Sequence, residues 1–155
     1  MWMNRLEKII DDNQHLDFKF NTSMNSKHGA FIYDTTIYVN SKRGYEQNIA
    51  DIAEEIGHDK TSVGDLTFLN TVEKCRQEAR ARQWGFRYLV PLDDLIVCYK
   101  LGLREYWEVA EFLEIPPAYL WETINYYRDT KGLVFYYKDC QFVFGMSDSL
   151  KIYFN

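Results

Sequence analysis

Asn48-Ile49-Ala50-Asp51-Ile52-Ala53-Glu54-Glu55-Ile56-Gly57-His58 is the stretch around which this chain is organised. Ile49, Ile52, Ala53 and Ile56 recur at i, i+3, i+4 and i+7, the spacing of one apolar stripe on an α-helix. The same projection places Asp51, Glu54 and His58 on the opposite face, with Glu55 at its edge. Glu54 and His58 are one turn apart, so their side chains leave the helix on the same side. Two readings stand side by side. The polar face is a solvated surface, as on most amphipathic helices, or it aims two ligand groups at one site.

Working outward, Tyr38-Val39-Asn40-Ser41 and Tyr45-Glu46 lead into this helix. A second helical stretch, Thr71 to Leu89, contains Glu78-Ala79-Arg80-Ala81-Arg82-Gln83-Trp84 and runs to Leu89-Val90-Pro91. Val72, Cys75 and Ala79 form one apolar line on it, and Trp84 and Tyr88 add bulk. Glu78, Ala81, Arg82 and Gly85 form another line at helical spacing, where small residues beside a Glu allow a close helix neighbour. Glu73 competes with Glu78 as a carboxylate for a site. Glu78 is alternatively an i, i+4 partner of Arg82, a contact worth only about 0.2–0.5 kcal/mol.

Glu54-Glu55-Ile56-Gly57-His58 departs from the zinc-peptidase motif His-Glu-x-x-His at its first residue. Together with the flanking segments, Gly29 to Pro91 resembles the ImmA/IrrE family of metallopeptidases. It looks most like a phage-encoded subgroup with Ala-Glu-Glu-x-Gly-His followed by a Gly-Asp turn, here Thr61-Ser62-Val63-Gly64-Asp65. The resemblance implies a Zn2+ ion held by Glu54, His58 and Glu78, with Glu54 where the usual first histidine stands. It implies Glu55 as the general base for metal-activated water, and a phage-type repressor as protein substrate. Asp65 is a turn-capping residue, a ligand, or a partner that orients His58. His28 is either a loop histidine or a residue lining the cleft. A carboxylate at position 54 adds negative charge, which makes a bound metal less electrophilic. A non-catalytic protein that regulates a repressor by docking therefore stands as the alternative.

Elsewhere, Trp2 to Asp12 reads as a helix with Leu6, Ile9 and Ile10 on its apolar face. His15 reads as an exposed loop histidine, Leu16 to Phe20 as a half-buried strand, and Asn21 to His28 as a loop. Ala30–Tyr33 and Ile37–Asn40 form a hairpin about Asp34-Thr35-Thr36, whose edge would pair with extended substrate. Gly57 and the break near Asp59-Lys60 are expected to end the motif helix at His58.

Beyond Pro91, Leu92 to Leu101 is a helix closed by Gly102. Arg104–Leu113, Ile115-Pro116-Pro117 and Ala118–Thr130 read as helix, turn, helix, with Val109, Phe112, Leu113, Leu120, Ile124 and Tyr127 buried. Leu133–Tyr137 and Gln141–Phe144 form a hairpin around Lys138-Asp139, and Leu150–Phe154 is a third strand. This order suggests a winged helix, but Tyr119 to Tyr127 offers no basic residue for phosphate or base-edge contacts. A protein-docking appendage fits that composition better than a DNA reader.

The expected fold is α+β. A zinc-peptidase-like helical core with a small antiparallel sheet fills 1–91, and a helix-turn-helix-like region with a β-hairpin fills 92–155. A hydrophobic content of 46% supports a sizeable core and argues against disorder. A net charge of −5 argues against direct nucleic acid binding. No apolar run approaches the ~20 residues of a membrane span. Met1-Trp2-Met3-Asn4-Arg5-Leu6-Glu7 lacks the order of a signal peptide. Cys75, Cys98 and Cys140, far apart and without a Cys-x-x-Cys pair, read as reduced, mostly buried thiols of a cytoplasmic protein.

Overall fold

A computed structural model of the protein describes residues 2–21, 24, 25, 29–62, 70–146 and 149–155. His28 and Asp65 lie outside the described residues. The architecture is α+β, as the sequence leads one to expect, and divides into two compact units, Met1–Leu89 and Val90–Asn155.

In the first unit, helix α1 (Arg5–Asp12) begins three residues later than the apolar pattern suggests. Asn4 accepts the Glu7 N–H at 2.8 Å and Glu7 accepts the Asn4 N–H at 2.9 Å, a capping box that fixes the start. Three strands follow: β1 (Asp17–Asn21), β2 (Ala30–Tyr33) and β3 (Thr36–Asn40). β3 is central, antiparallel to β2 and parallel to β1, so the sheet is mixed and not the antiparallel one expected, because β1 joins beyond the hairpin rather than through a tight turn. Asp34, at φ 55°, makes a two-residue turn with Thr35. Ile37 and Val39 of β3 are fully buried. β1 is more exposed than its alternation implies, because it is a sheet edge and the buried anchor is Leu16, just ahead of it.

A short 3-10 turn (Ser41–Arg43) and Gly44, at φ 92°, lead into helix α2 (Tyr45–Thr61). Ile49, Ile52, Ala53 and Ile56 are all completely buried. The helix does not stop at His58. Thr61 Oγ1 donates to the Gly57 carbonyl at 2.8 Å and the Ser62 N–H to the His58 carbonyl at 3.0 Å, adding nearly a turn. Gly57 serves another purpose, since a Cβ there would lie 2.2 Å from the Ala81 carbonyl oxygen. It is where helix α3 (Thr71–Leu89) crosses closest to α2.

That contact selects the face of α3 that packs. Gln77, Ala81 and Gly85 are buried, whereas Val72, Cys75 and Ala79, the apolar line expected inside, are exposed. Backbone approach at Gly57 needs small residues opposite, and the Ala81–Gly85 side of α3 supplies two of them in line. Cys75 is thus an exposed thiol, contrary to expectation, while Cys98 and Cys140 are buried.

The second unit holds helices α4 (Leu92–Lys100), α5 (Tyr106–Leu113) and α6 (Pro117–Lys131). An antiparallel sheet follows, β4 (Val134–Tyr137), β5 (Cys140–Phe144) and β6 (Leu150–Phe154), with β5 central. Leu113, Leu120, Ile124 and Tyr127 are buried as expected, and the Tyr127 hydroxyl donates to the Val90 carbonyl at 2.7 Å. Phe112 is instead 49% exposed and Val109 half-buried; Ala110 and Ile115 take the inner positions. The cause is the helix end: Glu114 adopts a left-handed conformation, φ 59°, and the Ile115 N–H returns to the Ala110 carbonyl at 3.0 Å. Ile115 is thereby turned inward. Burial, then the charge of Asp94, pushes the Cys98 thiol up to about 11. Among the described residues, no helix is long and apolar enough to cross a membrane.

Candidate metal centre

Helices α2 and α3 run antiparallel, so that residues 54 and 58 of one face residues 82 and 78 of the other. His58 Nε2 lies 3.2 Å from Glu78 Oε2, and Arg82 Nη1 donates to Glu54 Oε2 at 2.9 Å. One potential ligand atom each from Glu54, His58 and Glu78 falls within 4.8 Å of the other two. Two atoms bound tetrahedrally to one small divalent ion stand about 3.4 Å apart, given bond lengths near 2.1 Å. The His58–Glu78 separation already fits that spacing, and a Glu54 oxygen lies within 4.8 Å of both. These three groups can hold a metal ion. On its other side the His58 ring has Ser62 Oγ at 3.5 Å from Nδ1, and its side chain is only 11% exposed.

Glu55 turns the other way, toward the sheet. Its Oε2 accepts the Ile32 N–H at 3.1 Å, taking a backbone donor from the edge strand β2. Burial pushes the Glu55 carboxyl up to about 8, and the neighbouring charge of Glu54 adds to the rise; the Ile32 N–H works against it. Glu55, His58 and Glu78 line an open cleft of about 400 Å³, together with Phe31, Ile32 and Asp34 on one side and Asp59 and Ser62 on the other. A carboxyl group whose proton leaves near neutral pH thus faces the same space as His58 and Glu78, two of the three possible ligands.

The remaining candidates separate cleanly. Asp51, on the same helix, is taken by Arg43 at 2.8 Å and Gln47 at 3.0 Å. Glu73, the competitor of Glu78, lies beside Arg76 at 3.6 Å and Arg80 at 3.5 Å and is not part of the cluster. His15 is half exposed and pairs with Asp59 at 3.0 Å. Sequence reasoning missed two contacts. The first is the Ile32 N–H on Glu55, which depends on strand register. The second is the Arg82–Glu54 pair, whose signal was present: 54/58 and 78/82 share the same four-residue spacing, as adjacent rungs of an antiparallel helix pair would. Compared with known proteins, the chain matches no family model, no curated protein and no solved structure.

Proposed function

We propose that the first unit is a metallopeptidase-like centre of the ImmA/IrrE type, acting on a phage-type repressor. The observation that carries this reading is the convergence of Glu54, His58 and Glu78 beside a cleft that Glu55 also lines. The ion best suited to two carboxylates and an imidazole in a small tetrahedral site is Zn2+. When bound, zinc would supply Lewis acidity toward a peptide carbonyl and toward water.

The chain's own residues do the rest. Glu54, His58 and Glu78 would hold the ion, and the α2–α3 packing keeps His58 in place. Glu55 accepts a proton from the attacking water and later delivers it to the leaving amine. β2 offers an extended edge along which a substrate segment can align, with its Ile32 N–H already held by Glu55. The motif's change from His to Glu favours a second reading, in which the same cleft docks a repressor without cutting it. The second unit suits protein docking better than DNA reading, since Glu105 to Tyr127 contains five glutamates and no Lys or Arg.

Zinc content of the purified protein, before and after His58→Ala, tests the centre. Equal, negligible zinc in both would remove it. Glu55→Gln is expected to retain fold and zinc but to abolish cleavage of a repressor encoded by the same element, by at least ~100-fold. Repressor control that survives this change would support docking alone.

A further inference from the structure

Resting on that metal reading, we propose that Arg82 balances the charge of the centre, so that Glu54 and Arg82 together replace one neutral imidazole ligand. A set of two histidines and one carboxylate brings one negative charge to the ion. Glu54, His58 and Glu78 bring two. Arg82 restores the balance, because its guanidinium keeps its positive charge at every accessible pH and donates to Glu54 Oε2 at 2.9 Å. A carboxylate has two oxygens, so this contact leaves Oε1 for an ion.

The placement is built into the helix pair. Arg82 lies one turn beyond Glu78 on α3, and Glu54 one turn before His58 on α2, so the ion pair and the His58–Glu78 contact are neighbouring rungs. The close crossing of Gly57 and Ala81 shortens the distance that the Arg82 side chain must span. Its guanidinium carbon stands 5.6 Å from the centre of the buried Phe86 ring, a cation–π contact that aims it along the helix. Glu54 is 29% exposed and Arg82 40%, so solvent screens their charges only in part.

A fixed positive charge beside the site weakens its hold on a divalent cation and leaves more of that cation's charge for a substrate carbonyl. Zinc affinity, measured by competition with a chromophoric chelator on the full chain, reads this directly. Arg82→Gln should tighten zinc on the order of tenfold by removing the repulsion. Arg82→Lys, which keeps the charge, should stay near wild type. In a Glu54→His background, adding Arg82→Gln should again tighten zinc, because the arginine would then face the ion with no carboxylate between; this pair also decides the matter should the single Gln variant fold poorly.

Unchanged or weaker zinc binding in folded Arg82→Gln, or equal changes in the Gln and Lys variants, would overturn charge balancing. His58→Ala separates the two levels. If it abolishes zinc while Arg82→Gln does nothing, only the role of Arg82 fails. If wild type and His58→Ala are indistinguishable, the metal centre fails and the role of Arg82 with it.

Discussion

Two helix pairs in this chain treat glutamate in opposite ways. In α5, Glu108 accepts the backbone N–H of Arg104 at 3.1 Å and of Glu105 at 3.2 Å, so its carboxylate caps the helix at the surface. The α5–α6 core is apolar: Ala110, Leu113, Ile115, Leu120 and Ile124. In α2, by contrast, Glu54 and Glu55 flank a completely buried stripe and find partners on α3 and on β2. The difference lies in what meets at the crossing. Side chains of ordinary size hold helices ~8–10 Å apart and fill the gap with hydrocarbon. Gly57 against Ala81 brings backbone to backbone, and the groups beside that contact are drawn into reach of one another. Polar partners gather beside the close backbone approach of Gly57 and Ala81, whereas at the start of α5 the acid caps the helix.

The largest expected effect tests the burial of Glu55. In metal-free protein its carboxyl is raised from 4.5 to about 8. The folded chain then keeps a proton that the unfolded chain has lost. Its stability is therefore full below the lower value and declines as pH rises through the higher one. Glu55→Gln, uncharged throughout, should remove this decline and exceed wild type by on the order of 4 kcal/mol above the higher value. Urea unfolding in the presence of a chelator measures it, and parallel pH profiles for the two proteins would show that Glu55 is not buried as described.

Next in size is the crossing itself. Gly57→Ala forces a methyl group against the Ala81 carbonyl and should cost about 2–3 kcal/mol as the helices part. Gly102→Ala in the second unit is the matched control. It meets no atom within 4 Å, and its cost comes only from the backbone at φ 85°, about 1 kcal/mol. Equal costs would mean that the α2–α3 contact is looser than its geometry implies.

The legibility of the chain followed the same divide. The Ile49–Ile56 stripe, the hairpin around Asp34 and the three strands of the second unit are local patterns, and the structure has them. Glu54, His58 and Glu78 follow from one-turn spacing and a family resemblance, and the fold brings them together. What failed depended on rotation. Val72, Cys75 and Ala79 look like a core line until Gly57 chooses the other face of α3. Phe112 looks buried until the left-handed turn at Glu114 swings Ile115 inward. Periodicity gives the faces of a helix; the smallest residues on its neighbour decide which face is used. Arg82 was legible as a partner one turn from Glu78, but its reach to Glu54 needed the antiparallel register.

The smallest effect is expected at the other prominent ion pair, and it completes the contrast. Asp93 of α4 accepts from Lys138 Nζ at 2.6 Å and from the Tyr137 hydroxyl at 3.1 Å, both at the surface. The hydrogen bond from Lys138 holds the Asp93 carboxyl below its usual range, and the matching partnership with Asp93 raises the Lys138 ammonium. A depressed carboxyl contributes stability above its unfolded value and loses it as pH falls through the folded one. Asp93→Asn should therefore differ from wild type only at pH values above the ordinary carboxylate range, and the two should converge in acid. Because both side chains are more than half exposed, the difference should be slight and should vanish as salt is raised. Thermal unfolding at low and high ionic strength reads it. A loss at Asp93→Asn as large as that of Gly57→Ala, persisting in salt, would mean that surface charge organises the second unit as firmly as close packing organises the first.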